Sequence, residues 1–277
     1  MSAPTHDAWS DQQESTTVTV DGHDVSMAYR DEGSGDPVVF LHGIPTWSYL
    51  WRQVAPELED EYRTIVPDLV GYGNSDMRDG FDRSIRAQER AVLDLLDDLG
   101  VEETAVVAHD IGGGVALRLA AHHPDRVSKL VCSNAVCYDS WPVEFVNDLG
   151  LPRTAEESVD AVHDRLAGAF RQGVHADDPD ETFIEGMAAP WSTEAGTVSL
   201  SRCAVATNTN HTTEIPYGDI DADLLCLWGG DDVMQPVEYA ERLVDDVGGD
   251  LVTLDDAYHW VVQDRAEAYV EELRAFL

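Results

Sequence analysis

Short apolar runs alternate with helically spaced apolar positions along most of this chain. Thr16–Val20 and Val25–Arg30 are rich in β-branched residues and meet at Asp21-Gly22, a pair that favours the two-residue turns of hairpins. The polar stretch Asp31–Pro37 reads as a loop. Six runs of the buried-strand kind follow, at Val38–Leu41, Thr64–Pro67, Ala105–Ala108, Lys129–Ser133, Leu224–Trp228 and Leu251–Leu254. Between them, Ile85, Val92, Leu95, Leu96 and Leu99 recur at helical spacing until Gly100, and Val115, Leu117, Leu119 and Ala120 do so before Pro124. Strands alternating with helices predict an α/β fold, a mostly parallel central sheet flanked by helices.

The rhythm fails between Cys137 and Pro216, where helical pieces such as Val159–Phe170 occur without a buried strand, and sheet-type sequence resumes at Ile220. The expected organisation is a core in two parts, residues 1–136 and 217–277, interrupted by an inserted helical cap over 137–216. Such an insert folds over the carboxyl ends of the strands, where ligands bind in open α/β sheets. The length of 277 residues, with 43% hydrophobic, suits one such domain with its lid.

Charge narrows the functional classes. With 17 Lys+Arg against 54 Asp+Glu, the formal net charge is −37. The resulting field repels phosphate backbones and anionic headgroups, which excludes a nucleic-acid partner, argues against a membrane surface and disfavours anionic substrates. Lys129 is the sole lysine, and this acidic, lysine-poor balance resembles proteins of salt-in halophiles. Above ~1 M salt the Debye length falls to ~3 Å or less, so carboxylate self-repulsion is screened. Refolding yield is expected to drop when salt is withdrawn; a yield indifferent to salt would remove this reading.

Cys132, Cys137, Cys203 and Cys226 show neither a C-x-x-C pair nor zinc-ligand spacing and are expected to be reduced and buried. No H-E-x-x-H motif occurs, and neither metal nor cofactor is expected. The first 17 residues lack an apolar signal-peptide core, and no stretch of about 18 apolar residues occurs, so a soluble cytoplasmic protein is expected.

The sharpest local signal is Val106-Val107-Ala108-His109-Asp110-Ile111-Gly112-Gly113-Gly114, a strand ending in small-x-Asp-x-Gly that runs directly into a helix. It has the form of a nucleophile elbow with Asp110 at the nucleophile's position. The following helix N-terminus favours an anion there. Taken in isolation, Asp110 also fits a simple helix N-cap.

Further segments carry a resemblance. They are Leu41-His42-Gly43-Ile44-Pro45-Thr46-Trp47-Ser48-Tyr49-Leu50-Trp51, Pro67-Asp68-Leu69-Val70-Gly71-Tyr72-Gly73-Asn74-Ser75-Asp76, and His123-Pro124-Asp125-Arg126-Val127 before a strand. Together with the elbow, and in this order, they resemble the α/β-hydrolase superfamily, within it the haloalkane dehalogenase and epoxide hydrolase branch that uses an aspartate nucleophile. The resemblance spans nearly the whole core. It implies the α/β-hydrolase fold and hydrolysis of a small uncharged organic substrate by water, through a covalent alkyl-enzyme ester. It implies Asp110 as nucleophile and His259, in Ala257-Tyr258-His259-Trp260, as base. Asp232 is implied as acid, chosen over Asp231 by the Trp-Gly-x-x-Asp pattern of Trp228–Asp232. The main-chain N–H groups of Ile44 and Ile111 are implied as the oxyanion hole. Asn134 stands where some dehalogenases carry the acid instead. His42 and His109 are expected to orient loops.

The departures from the family concern the leaving group. Dehalogenases usually hold the halide between two side-chain N–H donors, often a Trp directly after the nucleophile and either a polar residue after His-Gly or a Trp in the cap; the two core positions here are Ile111 and Ile44, which have none to give. Trp47, Trp141 and Trp191 are the expected pocket walls, and with Asn208 and Asn210 they are the remaining sources of a halide donor. Epoxide hydrolases protonate the opening oxygen with cap tyrosines, and Tyr138 and Tyr217 flank the insert. Epoxide hydrolysis, or ligand binding without turnover, is therefore the alternative to dehalogenase-like chemistry. Oligomeric state is not implied.

Overall fold

In the computed structural model, which describes residues 3–277, the expected hairpin opens the sheet: β1 (Glu14–Val20) pairs antiparallel with β2 (His23–Gly33) around Asp21 and Gly22, both at positive φ. β3 (Pro37–Leu41), β4 (Arg63–Pro67), β5 (Thr104–His109), β6 (Val127–Ser133), β7 (Asp223–Gly229) and β8 (Asp250–Leu254) complete an eight-stranded sheet in the order β1-β2-β4-β3-β5-β6-β7-β8. From β4 onward every pairing is parallel. One expectation is corrected. Asp31–Gly33 belongs to β2 instead of the following loop, because these residues pair with Arg63–Ile65 and the Arg63 guanidinium grips both carboxylate oxygens of Asp31, at 2.9 and 2.6 Å.

All six residues of β5 are buried, as expected of a central parallel strand covered on both faces. The helix Ile85–Asp98 starts at Ser84, whose side chain accepts the Ala87 N–H, and turns an apolar face onto β1 and onto the helix Ile111–His122. The four cysteines are free and buried. Between β6 and β7 lie helices and no strand, the longest being Val159–Gln172 and Glu194–Val205. Two buried indoles fasten this segment to the loop after β3: Trp47 donates to the Gly186 carbonyl at 2.9 Å and Trp191 to the Pro45 carbonyl at 2.6 Å. The returning end is tied to the back of the core by Arg118, which reaches Glu89 at 2.5 Å and Glu214 at 2.6 Å. Among the described residues no helix is long and apolar enough to cross a membrane.

Candidate active site

The carboxyl ends of four adjacent parallel strands deliver the site. Asp110 follows β5, Asn134 follows β6, Asp232 lies three residues past β7 and His259 five residues past β8. Asp110 sits at φ 52°, ψ −124°, a strained conformation for a residue with a side chain, and the helix Ile111–His122 begins immediately after it. Glycine permits that turn. A β-carbon on Gly112 would lie 2.5 Å from the Leu41 carbonyl oxygen, and one on Gly43 would lie 2.3 Å from Asp110 Oδ1. Strand, helix and carboxylate therefore approach one another only where side chains are missing.

The Ile44 N–H donates to Asp110 Oδ1 at 2.7 Å. His259 Nε2 stands 3.8 Å from Asp110 Oδ2, and on its other side Nδ1 donates to Asp232 Oδ2 at 2.8 Å. Asp110, Asp232 and His259 are all nearly shielded from solvent, at 3%, 6% and 3% exposure, so charge among them is weakly screened. Burial pushes the Asp110 carboxyl above the usual carboxylate range, with His259 and the N–H groups of Ile44 and Ile111 opposing it. Burial acts the same way on Asp232, yet His259, by charge and hydrogen bond, and the Met234 N–H outweigh it and hold its pKa low. On His259 burial favours the neutral ring, but the charge and hydrogen bond of Asp232, with Asp110 behind them, raise its pKa. A desolvated carboxylate facing an imidazole that a second carboxylate polarises can attack an electrophile and then activate water.

The neighbouring groups hold this geometry. Asn134 donates to Asp232 Oδ2 at 2.7 Å and accepts the Gly229 N–H at 2.9 Å, so an amide supports the acid from the end of β6. His42 accepts the Leu69 N–H at Nε2 and donates from Nδ1 to the Gly43 carbonyl; burial lowers its pKa to about 4, leaving it a neutral linker of two loops. His109 donates from Nε2 to the His259 carbonyl at 2.7 Å, and burial, with the nearby His259 charge, lowers its pKa to about 3. Asp264 accepts the main-chain N–H groups of His175 and Tyr258, both at 2.9 Å, tying the helical segment to the loop that carries His259. Asn134, as the acid's support, and Asp264 were not foreseen. The signal for Asn134 was its strand-end position; Asp264 had none, because its partners are main-chain groups.

A chamber of about 230 Å³ opens on Asp110 and His259, with Ile44, Trp141, Phe145 and Gln235 among its walls. It shares the walls Gly173, Val233 and Met234 with an outer vestibule of about 430 Å³ rimmed by His175, Asp231 and Tyr258. Of the expected wall residues Trp141 lines the chamber, whereas Trp47 and Trp191 do not and spend their N–H groups as fasteners. Asn208 and Asn210 are exposed. The Tyr138 hydroxyl donates to Asp246 at 2.7 Å, and that of Tyr217 to the Thr212 carbonyl at 3.0 Å; neither residue lines the chamber. Among the described residues no group of three or more His, Cys, Asp or Glu side chains is placed to hold a metal ion.

A family profile described as alpha/beta hydrolase fold matches residues 36–266. Haloalkane dehalogenase 2 of Mycobacterium tuberculosis is 34% identical over 116 residues, 42% of this chain and 40% of that protein, so the chain spans two fifths of that relative's length. The cis-3-alkyl-4-alkyloxetan-2-one decarboxylase of Xanthomonas campestris is 27% identical over 280 residues, 91% of this chain and 92% of its own length. Among solved structures, an alpha/beta hydrolase fold protein from Burkholderia ambifaria superposes with a TM-score of 0.84 at 28% identity, covering 93% of this chain and 96% of that one.

Proposed function

The chain belongs to the alpha/beta hydrolase fold family, and from that premise we propose that it is a hydrolase acting through an Asp110 alkyl ester, with dehalogenase-like chemistry on small uncharged substrates. One observation carries the reading. The residue on the strained turn is a carboxylate, held by the Ile44 N–H and faced by a His259 imidazole that is itself anchored on Asp232. Asp110 attacks the carbon in line with the leaving group, and its C–O bond forms as the carbon–halogen bond breaks. His259 then takes a proton from water as that water adds to the ester carbonyl. The oxyanion so formed lies by the main-chain N–H groups of Ile44 and Ile111, and as it collapses His259 returns the proton to the departing oxygen, freeing the alcohol, while the regenerated Asp110 carboxyl loses its proton to solvent. Residues 1–136 and 217–277 form the catalytic body and 137–216 the lid.

Halide departs without a proton, whereas an opening epoxide needs a donor. The two tyrosines that would supply it are engaged elsewhere, which favours carbon–halogen cleavage. A second reading has the full-length alignment in its favour: the Xanthomonas relative is named for an oxetan-2-one decarboxylase, and a strained lactone likewise opens with a carboxylate leaving group that needs no acid. The acidic composition further suggests work in concentrated salt.

The test is product identity in multi-molar salt at weak buffering, with bromoalkanes, epoxides and four-membered lactones offered separately to the wild type and to Asp110→Ala. Proton release from bromoalkanes, lost in the variant, is expected. Silence there with diol from epoxides, or carbon dioxide from lactones, would reassign the substrate.

A further inference from the structure

Both main-chain donors of the site are occupied by the nucleophile itself. The Ile44 N–H is on Asp110 Oδ1 at 2.7 Å, and the Ile111 N–H lies close enough to stabilise the same carboxylate. An in-line displacement expels the leaving group on the far side of the attacked carbon, away from those two groups. The chamber must therefore offer other donors to an anion that appears there as Asp110 becomes a neutral ester.

Apart from Asp110 and His259, its polar side chains are those of Trp141, Gln172, Gln235 and Trp260. Gln172 is exposed and also lines the outer vestibule. Trp260 Nε1 has no hydrogen-bond partner, but it lies against Gly173, on which a β-carbon would come within 2.3 Å of it. Trp141 and Gln235 remain, 3% and 1% exposed, and neither the indole N–H of the first nor the carboxamide oxygen of the second has a hydrogen-bond partner. The main chains of both are held: the Trp141 carbonyl accepts the Thr209 hydroxyl at 2.6 Å, and the Gln235 main-chain carbonyl accepts the Trp228 indole N–H at 2.8 Å. Buried polar groups left unpaired by the protein call for an explanation, and a ligand is one. The carboxamide's oxygen and nitrogen exchange by a half-turn, so Gln235 presents N–H groups when an anion is there to accept them.

We propose that the Trp141 indole N–H and the Gln235 carboxamide form the leaving-group subsite, taking a chloride- or bromide-sized anion. The inference rests on the covalent reading above. As the Asp110 oxygen–carbon bond forms, the carbon–halogen electron pair leaves with the halide, and the two N–H groups bind it; no proton moves in this step. The subsite replaces the donors that Ile44 and Ile111 cannot provide.

The experiment measures formation of the Asp110 ester from 1-chlorobutane and 1-bromobutane by intact mass, in a His259→Gln background that retains it. Potassium glutamate supplies the salt, so that no halide fills the site beforehand. Gln235→Met and Trp141→Phe are each expected to slow ester formation by ~10- to 1000-fold, with the larger loss for the chloride, the poorer leaving group. The thermal midpoint of Gln235→Met is expected to hold or rise, because an unpaired buried amide is removed. Equal loss for both halides, or no loss, would overturn the subsite even if the ester forms. Absence of any ester in His259→Gln alone would instead overturn the covalent reading.

Discussion

Asp110→Asn is expected to lose turnover by ~10⁴- to 10⁶-fold, the scale on which removing a nucleophile acts, while the folded protein becomes no less stable. The two halves of this expectation come from the same burial. Asp110 is desolvated, which raises its carboxyl pKa against the pull of His259 and of the Ile44 and Ile111 N–H groups. A carboxyl whose folded pKa lies above its unfolded one contributes stability that is complete below the unfolded pKa and lost as pH rises through the folded pKa. At neutral pH the ionised side chain is therefore a cost to folding, and the neutral amide removes it. Asparagine also tolerates positive φ, so the turn at 52° is kept. Stopped-flow proton release and calorimetric melting at pH 7 check the two halves. Retained turnover would exclude Asp110 as nucleophile, and a large fall in the melting point would show that the carboxylate is held for structure.

The site's elements were legible in sequence to the extent that their information is local. Asp21-Gly22, the small-x-Asp-x-Gly elbow and the continuous apolar runs state their conformation within a few residues, and all eight strands lie where those runs fall. By its polarity Asp31–Gly33 reads as loop; its partner Arg63 is 32 residues from Asp31, and that pairing is invisible to a local pattern. Trp47 and Trp191 show the same limit. A tryptophan near a presumed cleft is equally a wall or a fastener, and the choice is made by the carbonyls of Gly186 and Pro45, which carry no sequence signature. Gln235 is a single polar residue in a loop, distinguished only by burial without a partner.

His259→Gln is expected to accept substrate once and stop, gaining the mass of one alkyl group on Asp110 while steady-state turnover falls by ~10⁴-fold or more. Alkylation needs only the Asp110 carboxylate and a departing anion, so the first step survives the loss of the base. Hydrolysis needs water deprotonated beside the ester, and glutamine cannot do that. The wild-type pH profile should carry the same logic. In the resting site His259 lies between two carboxylates, and against the burial of its ring Asp232 first and Asp110 second raise its pKa. Esterification neutralises Asp110, so one of the two stabilising charges vanishes and the imidazole pKa falls as the intermediate forms. The base is thereby released in its neutral form when water must be activated. Single-turnover decay of the ester should rise with pH to a plateau at a lower midpoint than the titration of His259 in the free protein. Asp232→Asn, which leaves Nδ1 without a carboxylate partner, should slow that decay by ~10⁴-fold while ester formation stays much faster than decay. If His259→Gln gains no mass from a substrate that the wild type converts, Asp110 does not form an ester and the water attacks the substrate directly.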